Sequence, residues 1–110
     1  MNIDLTELAA LAEKIGTVFE FHGLRYHLTG GVIASYYGEV RNTQDVDIVV
    51  EMDACKDRQA LFQDLNKEFY VDQSAFDEAI RMKFMFVLSP RHGLHAAGRH
   101  LYRFCVTLSF

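Results

Sequence analysis

A pair of glycines between two runs that favour β-structure limits the folds open to this chain. The first run covers residues 25–29, and Gly30 and Gly31 end it because glycine breaks a strand and permits a sharp turn. Residues 32–37 then read as a short helix. The second run, residues 45–52, is rich in β-branched side chains. A strand, a turn, a helix and a second strand in this order predict a mixed sheet with helices packed against it.

Three further helices are predicted from apolar periodicity and capping residues. Apolar side chains recur at helical spacing over residues 4–21, and Gly23 is the predicted stop of that helix. Asp53 is predicted to cap the second helix. Ser74 is predicted to open a third, short helix that runs to about residue 82.

The C-terminal third is less regular. Residues 84–88 read as a strand and residues 89–93 as a turn. Residues 102–110 favour a strand by propensity alone. We therefore predict the α+β class, with a small mixed sheet flanked by helices. The expected organisation is one domain over residues 1–110, of which about 95–110 is atypical.

Length and composition restrict the possible environments. The chain has 110 residues, half of them apolar, so one small domain with one packed core is expected. No apolar run approaches the roughly 20 residues of a membrane helix, which predicts no membrane partner. Cys55 and Cys105 show neither the spacing of metal ligands nor a disulfide framework. A reducing cytoplasm is the expected compartment.

The charges are divided unevenly along the chain. Residues 1–78 hold all 15 acidic side chains and 6 of the 11 Lys and Arg, whereas residues 79–110 hold no acid. Such a basic tail can bind an acidic partner, or the two parts can simply neutralise each other. The acidic first part argues against a large nucleic-acid footprint, which needs a basic surface. A nucleic acid as an acceptor substrate is compatible with the sequence but is not indicated by its charge.

Two aspartates begin the second strand-like run. Residues i and i+2 of a strand face the same way, so Asp45 and Asp47 are expected on one face with Cβ atoms about 7 Å apart. Like charges at this distance repel, and basic partners or a divalent cation can compensate. Carboxylates are hard ligands that suit Mg²⁺ or Mn²⁺. Two aspartates that merely begin a strand in solvent are the simpler alternative.

The glycine pair adds a second element to this site. A strand that ends in Gly30 and Gly31 and is followed by a helix offers unpaired backbone N–H groups to an anion. Glycine also lets a phosphate approach the backbone closely. If the two strands are neighbours, phosphates and a metal ion would meet at one cleft, as phosphoryl or nucleotidyl transfer requires. A tight turn without a ligand is the alternative.

The stretch TGGVIASYYGEVRNTQDVDIVV, residues 29–50, resembles the signature of the nucleotidyltransferase superfamily. This superfamily includes the DNA polymerase beta-like enzymes and the minimal nucleotidyltransferases. The resemblance is closer still to a toxin-type bacterial subgroup of toxin–antitoxin and abortive-infection systems. The strong match covers residues 26–50, and a looser one runs to about residue 94. The resemblance implies a nucleotidyltransferase fold and transfer of a nucleoside monophosphate from an NTP to a hydroxyl acceptor.

The resemblance also assigns roles to individual residues. Asp45 and Asp47 match the catalytic pair that holds Mg²⁺ or Mn²⁺ against the triphosphate. The positions that match phosphate-binding residues are Gly30, Gly31, Arg41 and Thr43. Arg41 and Thr43 are explained at least as well as an ordinary surface arginine and a threonine that favours a turn.

The third carboxylate of the family has no counterpart here. In the family this group lies on a later strand and acts as the general base. Residues 91–98, RHGLHAAG, stand where the preceding turn is expected, with Ala97 about where the acid would be, and no acid follows Glu78. Three explanations are open. The chain is a degenerate relative that binds without catalysis, or its tail is an altered form of an originally longer chain. In the third, His92 or His95 takes the place of the carboxylate as the general base.

Other readings of the motif fit less well. The letters DVDIV also satisfy the nucleophile motif of haloacid-dehalogenase-type phosphatases, but there the apolar strand precedes the acids. Glycosyltransferases use Asp-x-Asp for Mn²⁺, but in much larger domains. The main alternative is a non-catalytic module on the same fold, antitoxin-like or a pseudo-enzyme, that binds a nucleotide or a partner. A homodimer through the sheet edge, or a partner protein of the toxin–antitoxin kind, would then be expected.

Overall fold

A computed structural model describes residues 5–29, 44–91 and 102–110 of the chain, and for residues 5–7, 44, 45 and 102 it describes the backbone only. Within these ranges it contains three helices and one five-stranded mixed sheet. The predicted α+β class is therefore confirmed. The predicted helix over residues 32–37 lies outside the described residues.

The elements follow one another in the order helix, strand, strand, helix, strand, helix, strand, strand. Their bounds are α1 Leu5–Phe21, β1 Tyr26–Leu28, β2 Gln44–Glu51, α2 Arg58–Glu68, β3 Phe69–Tyr70, α3 Gln73–Met82, β4 Met85–Pro90 and β5 Tyr102–Ser109. The strand order in the sheet is β1-β2-β5-β4-β3. The pair β2 and β5 is parallel, and the other three pairs are antiparallel. The last strand of the chain thus lies at the centre of the sheet.

The end of α1 confirms the predicted stop at Gly23. This glycine has a positive φ of 72°, which a residue without Cβ adopts at little cost. Its N–H donates to the carbonyl of Glu20 (2.9 Å), and the N–H of Leu24 donates to that of Phe19 (2.9 Å). These two bonds form a Schellman motif, which satisfies the last carbonyls of the helix. Leu24 and Phe19 are both buried, so the motif also fixes the direction in which the chain enters β1.

The second helix begins later than predicted. Asp53 does not cap it; α2 starts at Arg58, and the carboxylate of Asp57 accepts a hydrogen bond from the N–H of Ala60 (3.0 Å). A turn comes first, since the N–H of Cys55 donates to the carbonyl of Met52 (3.0 Å). Met52 is buried, so the chain remains bound to the sheet at that point and cannot begin a helix at Asp53.

The cap of α3 also differs from the prediction, although its end does not. Asp72 rather than Ser74 caps this helix, and its carboxylate accepts a hydrogen bond from the N–H of Ala75 (3.0 Å). The helix ends at Met82, as predicted, and Lys83 follows in the left-handed conformation with φ 53°. None of the described helices is long and apolar enough to cross a membrane.

The first strand after α3 extends further along the chain than predicted. Ser89 and Pro90 were expected in a turn but belong to β4, where they pair with Tyr70 and Phe69 of β3. This short strand was not predicted, because two residues carry no periodicity. Residues 102–109 form the strand that propensity indicated. Every residue of β2 has a register partner on β5, so the C-terminal strand is part of the fold and not an appendage.

The core lies between the three helices and one face of the sheet. Ring contacts join the layers: the ring centroids of Phe76 and Phe86 are 5.1 Å apart. The inward-facing residues of the three longest strands are Val46, Ile48, Val50, Phe86, Leu88, Phe104, Val106 and Leu108. The alternate residues form the opposite face, which no described helix covers and which we call the open face. Its exposed or half-buried side chains are His27, Asp47, Val49, Glu51, Met85, Val87, Arg103, Cys105, Thr107 and Ser109.

Candidate functional site

The predicted site residues divide into two groups. Asp45 and Asp47 lie near the start of β2, and the side chain of Asp47 is exposed on the open face. The side chain of Asp45 is outside the described part of the chain. The predicted phosphate-binding residues Gly30, Gly31, Arg41 and Thr43, and the histidines His92 and His95, also lie outside the described residues.

The residue that follows β1, Thr29, lies directly beside Asp47. The backbone N–H of Thr29 donates to the carbonyl oxygen of Asp47 at 3.1 Å. Thr29 immediately precedes Gly30, and consecutive Cα atoms are about 3.8 Å apart. The chain therefore leaves β1 for residues 30–43 at the level of Asp47, and it returns at Gln44 on the same strand as the acids. The predicted site requires β1 and β2 to be neighbouring strands, and they are neighbours in the sheet.

The other neighbour of the acids is β5. Asp45 is the register partner of Arg103, and Asp47 is the register partner of Cys105. Adjacent strands lie about 4.8 Å apart, and register partners in a parallel pair occupy the same face of a sheet. Arg103 is exposed and Cys105 is half-buried. Sequence reasoning missed both residues, because a strand propensity does not say which strand will be its neighbour.

No acid occupies the strand next to the aspartates. The open-face residues of β5 are Arg103, Cys105, Thr107 and Ser109. The strand adjacent to β2 therefore presents one positively charged side chain and neutral side chains on this face, and no carboxylate. In residues 5–29, 44–91 and 102–110, no group of three or more His, Cys, Asp or Glu side chains is placed to hold a metal ion.

The carboxylate of Asp47 is accessible to a ligand. Among the described residues it has neither a hydrogen-bond partner nor an ion-pair partner. An exposed, unpaired carboxylate with a second acid two residues before it suits a hard divalent cation such as Mg²⁺ or Mn²⁺. The described carboxylate of Asp47 is thus a hard oxygen donor of the kind that such an ion prefers.

Two surface cavities lined by described residues lie elsewhere. One, of about 370 Å³, adjoins the end of α3 and is lined by Glu78, Ala79, Met82, Phe84 and Met85. The other, of about 340 Å³, lies between α1 and α2 and is lined by Thr17, Val18, Phe21, Asp64, Lys67 and Glu68. Neither includes Asp47. Cys55 and Cys105 form no disulfide with each other, and burial raises the pKa of the Cys55 thiol.

The protein is thus a two-layer α+β domain. An acid pair stands at the start of an inner strand, and a glycine pair follows the neighbouring edge strand in the sequence after one intervening residue, Thr29. Comparison of the chain with protein-family models, with curated proteins and with solved structures gives no significant match. No family is therefore shown for the chain, and the resemblance to the nucleotidyltransferases stays a prediction.

Proposed function

We propose that this chain is a nucleotidyltransferase-like domain that binds a nucleoside triphosphate together with Mg²⁺ or Mn²⁺, and whose capacity for nucleotidyl transfer is impaired. The binding site lies where β1 and β2 meet the segment 30–43. Asp45 and Asp47 would hold the ion, and Gly30 and Gly31 would accommodate the phosphates.

One observation carries this proposal: the 3.1 Å hydrogen bond from the N–H of Thr29 to the carbonyl of Asp47. Had β1 and β2 been separated in the sheet, the glycine pair and the acid pair could not have served one ligand. Because they are adjacent, backbone donors after Thr29 and carboxylates on β2 can meet the same polyphosphate.

The residues have separate roles in this proposal. The carboxylates of Asp45 and Asp47 position the ion, and the ion supplies charge neutralisation on the phosphates when it is bound. The backbone N–H groups at Gly30 and Gly31 donate to phosphate oxygens. Arg41 is the proposed side-chain phosphate contact, and Thr43 the residue that braces the loop.

Impaired transfer follows from what lies beside the acids. A general base must reach the proton of the attacking hydroxyl, and the open face of β5 contributes Arg103 and Cys105 at the level of the acids, with no carboxylate. This observation also favours a second candidate, a non-catalytic module that binds a nucleotide or a partner protein in the cytoplasm. Dimerisation through a sheet edge has little support, because the edge strands β1 and β3 have three and two residues.

Calorimetric titration tests the binding proposal. We expect ATP, CTP, GTP or UTP to bind in the presence of Mg²⁺ and not in EDTA. The double variant Asp45→Asn/Asp47→Asn should weaken this binding by about a hundredfold or more, because each amide removes an anionic ligand of the ion. Glu51→Gln is the matched control: it removes one exposed acid from the other end of β2 and should leave the affinity unchanged.

Pyrophosphate release separates the two candidates. A chain that binds Mg²⁺ and nucleotide but releases no pyrophosphate with protein, tRNA or small-molecule hydroxyl acceptors is the non-catalytic module. Absence of nucleotide binding at millimolar concentrations, with or without metal, would remove the nucleotide-binding proposal altogether.

A further inference from the structure

A group of exposed apolar side chains lies where α3 ends and β4 begins. Phe84 is 64% exposed, Met82 is 59% exposed and Phe110 is 40% exposed. Met85 and Val87 continue the group along the open face of β4, because residues i and i+2 of a strand share a face. We call these side chains the α3 patch: Met82, Phe84, Met85, Val87 and Phe110.

Two contacts make the α3 patch continuous. The carbonyl of Phe84 accepts a hydrogen bond from the N–H of Leu108 (2.8 Å), so the end of β5 runs beside the start of β4. The ammonium group of Lys83 lies 5.7 Å from the ring centroid of Phe110, which places that ring beside the turn after α3. Single exposed apolar residues are normal on a protein surface, whereas a contiguous patch marks an interaction site.

The size of the α3 patch is in the range that a dimer needs. A fully exposed phenylalanine presents about 200 Å² of surface, so the five partly exposed side chains together present about 400 Å² of apolar surface. Apolar atoms make up a little over half of a typical interface, so an interface built on this patch would bury about 700 Å² per copy. Specific protein–protein interfaces begin at about 600 Å² per partner.

The shape and the charges of the α3 patch suit a second copy of the same chain. Its exposed side chains stand beside the cavity of about 370 Å³ that is lined by Glu78, Ala79, Met82, Phe84 and Met85. In a two-fold contact both copies use the same surface, so an apolar side chain of each copy can enter the cavity of the other. The border of the patch carries both signs of charge, since Glu78 pairs with Arg81 (2.6 Å) and Lys83 lies nearby. Such a border repels a second copy less than a border of one sign would, and it does not select a strongly acidic or basic partner.

We propose that the α3 patch is a two-fold interface between copies of this chain, with a dissociation constant in the micromolar range. The inference goes beyond the proposed function and does not depend on it, because no residue of the patch belongs to the proposed nucleotide site. It also differs from dimerisation through a sheet edge, since the contact is made by side chains and not by strand pairing.

Sedimentation equilibrium of the whole chain tests the interface. Between about 1 and 200 µM chain, the wild-type protein should pass from monomer to dimer. Phe84→Glu should weaken this association by about a hundredfold or more, because the dimer would have to bury an unpaired charge. Phe21→Glu is the matched control: Phe21 is 79% exposed at the end of α1, outside the patch, and the same change there should leave the association unchanged.

Hydrogen exchange of the wild-type chain locates the interface without any substitution. Amides of residues 82–87 should exchange more slowly at high than at low chain concentration, and amides at the end of α1 should not change. This measurement decides the question if circular dichroism shows that Phe84→Glu is not folded.

Three outcomes would overturn the proposal. A wild-type chain that stays monomeric at about 200 µM would leave the α3 patch to a different protein. A dimer that survives Phe84→Glu, or one that Phe21→Glu weakens equally, would have its interface elsewhere. Protection confined to amides outside residues 82–87 would likewise place the contact on another surface.

Discussion

Gly16 shows how a single residue sets the distance between α1 and β1. A Cβ atom built on Gly16 would lie 2.5 Å from Cζ of Tyr26, and still closer to its hydroxyl oxygen. The ring of Tyr26 packs against Phe19, with centroids 5.7 Å apart. The glycine is therefore needed for close approach and not for an unusual backbone angle, even though glycine is a poor helix former.

We expect Gly16→Ala to destabilise the protein by about 1–3 kcal/mol, as overpacking of a tight contact does. In a Tyr26→Leu background the same change should instead stabilise by up to about 1 kcal/mol, since the helix propensity of alanine is then gained without the clash. Urea unfolding of the four proteins measures both effects. An alanine that stabilises the chain with Tyr26 in place would show that the ring moves aside freely.

At the scale of elements, a hydrogen bond between side chains joins two helices. His22, directly after α1, and Asp64 of α2 lie 2.7 Å apart, measured from Nε2 to a carboxylate oxygen, and Lys67 donates to the other oxygen of Asp64 (3.0 Å). The hydrogen bond with His22 and that with Lys67 lower the pKa of Asp64. Apolar periodicity predicted α1 but not this contact, whose partners are distant in the chain.

The pKa of Asp64 is lower in the folded chain than in the unfolded chain, so the ionised carboxylate favours folding. This contribution is complete above the ordinary carboxyl range and is lost as the pH falls below about 4 through the lowered pKa. Asp64→Asn should therefore flatten the dependence of stability on pH over that acidic range. Urea midpoints between pH 3 and 6 measure it, with Asp53→Asn, at an exposed acid in the turn after β2, as the control. Equal slopes for the two variants would contradict the assignment.

At the scale of the whole molecule, the last strand holds the fold together. Strand β5 pairs with β2 on one side and with β4 on the other, and it brings Phe104 into the core at 0% exposure. The ring of Phe104 contacts that of Phe69, with centroids 6.0 Å apart. The sequence placed this segment in an atypical tail, yet its buried side chains link the two halves of the sheet.

Phe104→Ala should lower the free energy of unfolding by about 3–5 kcal/mol, through lost burial and a cavity. That is a large share of the roughly 5–15 kcal/mol available to a small domain. Thr107→Ala, at an exposed position of the same strand, should cost much less. Urea unfolding compares the two variants. Similar losses for both would mean that strand pairing, rather than burial of the ring, provides the stability.

The sequence alone determined the local elements of this protein: α1 and its stop at Gly23, the strand that carries Asp45 and Asp47, the end of α3, and the α+β class. Periodicity and glycine stops depend on residues three or four positions apart, so they can be read from the chain. The two helix caps were misplaced because more than one capping residue stands near the start of each helix, and local spacing does not select among them. For α2, the buried Met52 holds the chain at the sheet, so the helix begins only after Asp57.

Only the tertiary structure decided which strands are neighbours. The sequence could not show whether the glycine pair and the acid pair belong to one site. The pairing of β1 with β2 brings Thr29, the residue before the glycine pair, next to Asp47. The parallel pairing of β2 with β5 places Arg103 beside Asp45, which no local pattern could indicate. Strand pairing joins residues far apart in the chain, and it is fixed by burial of the whole apolar face at once, so no short window of sequence contains it.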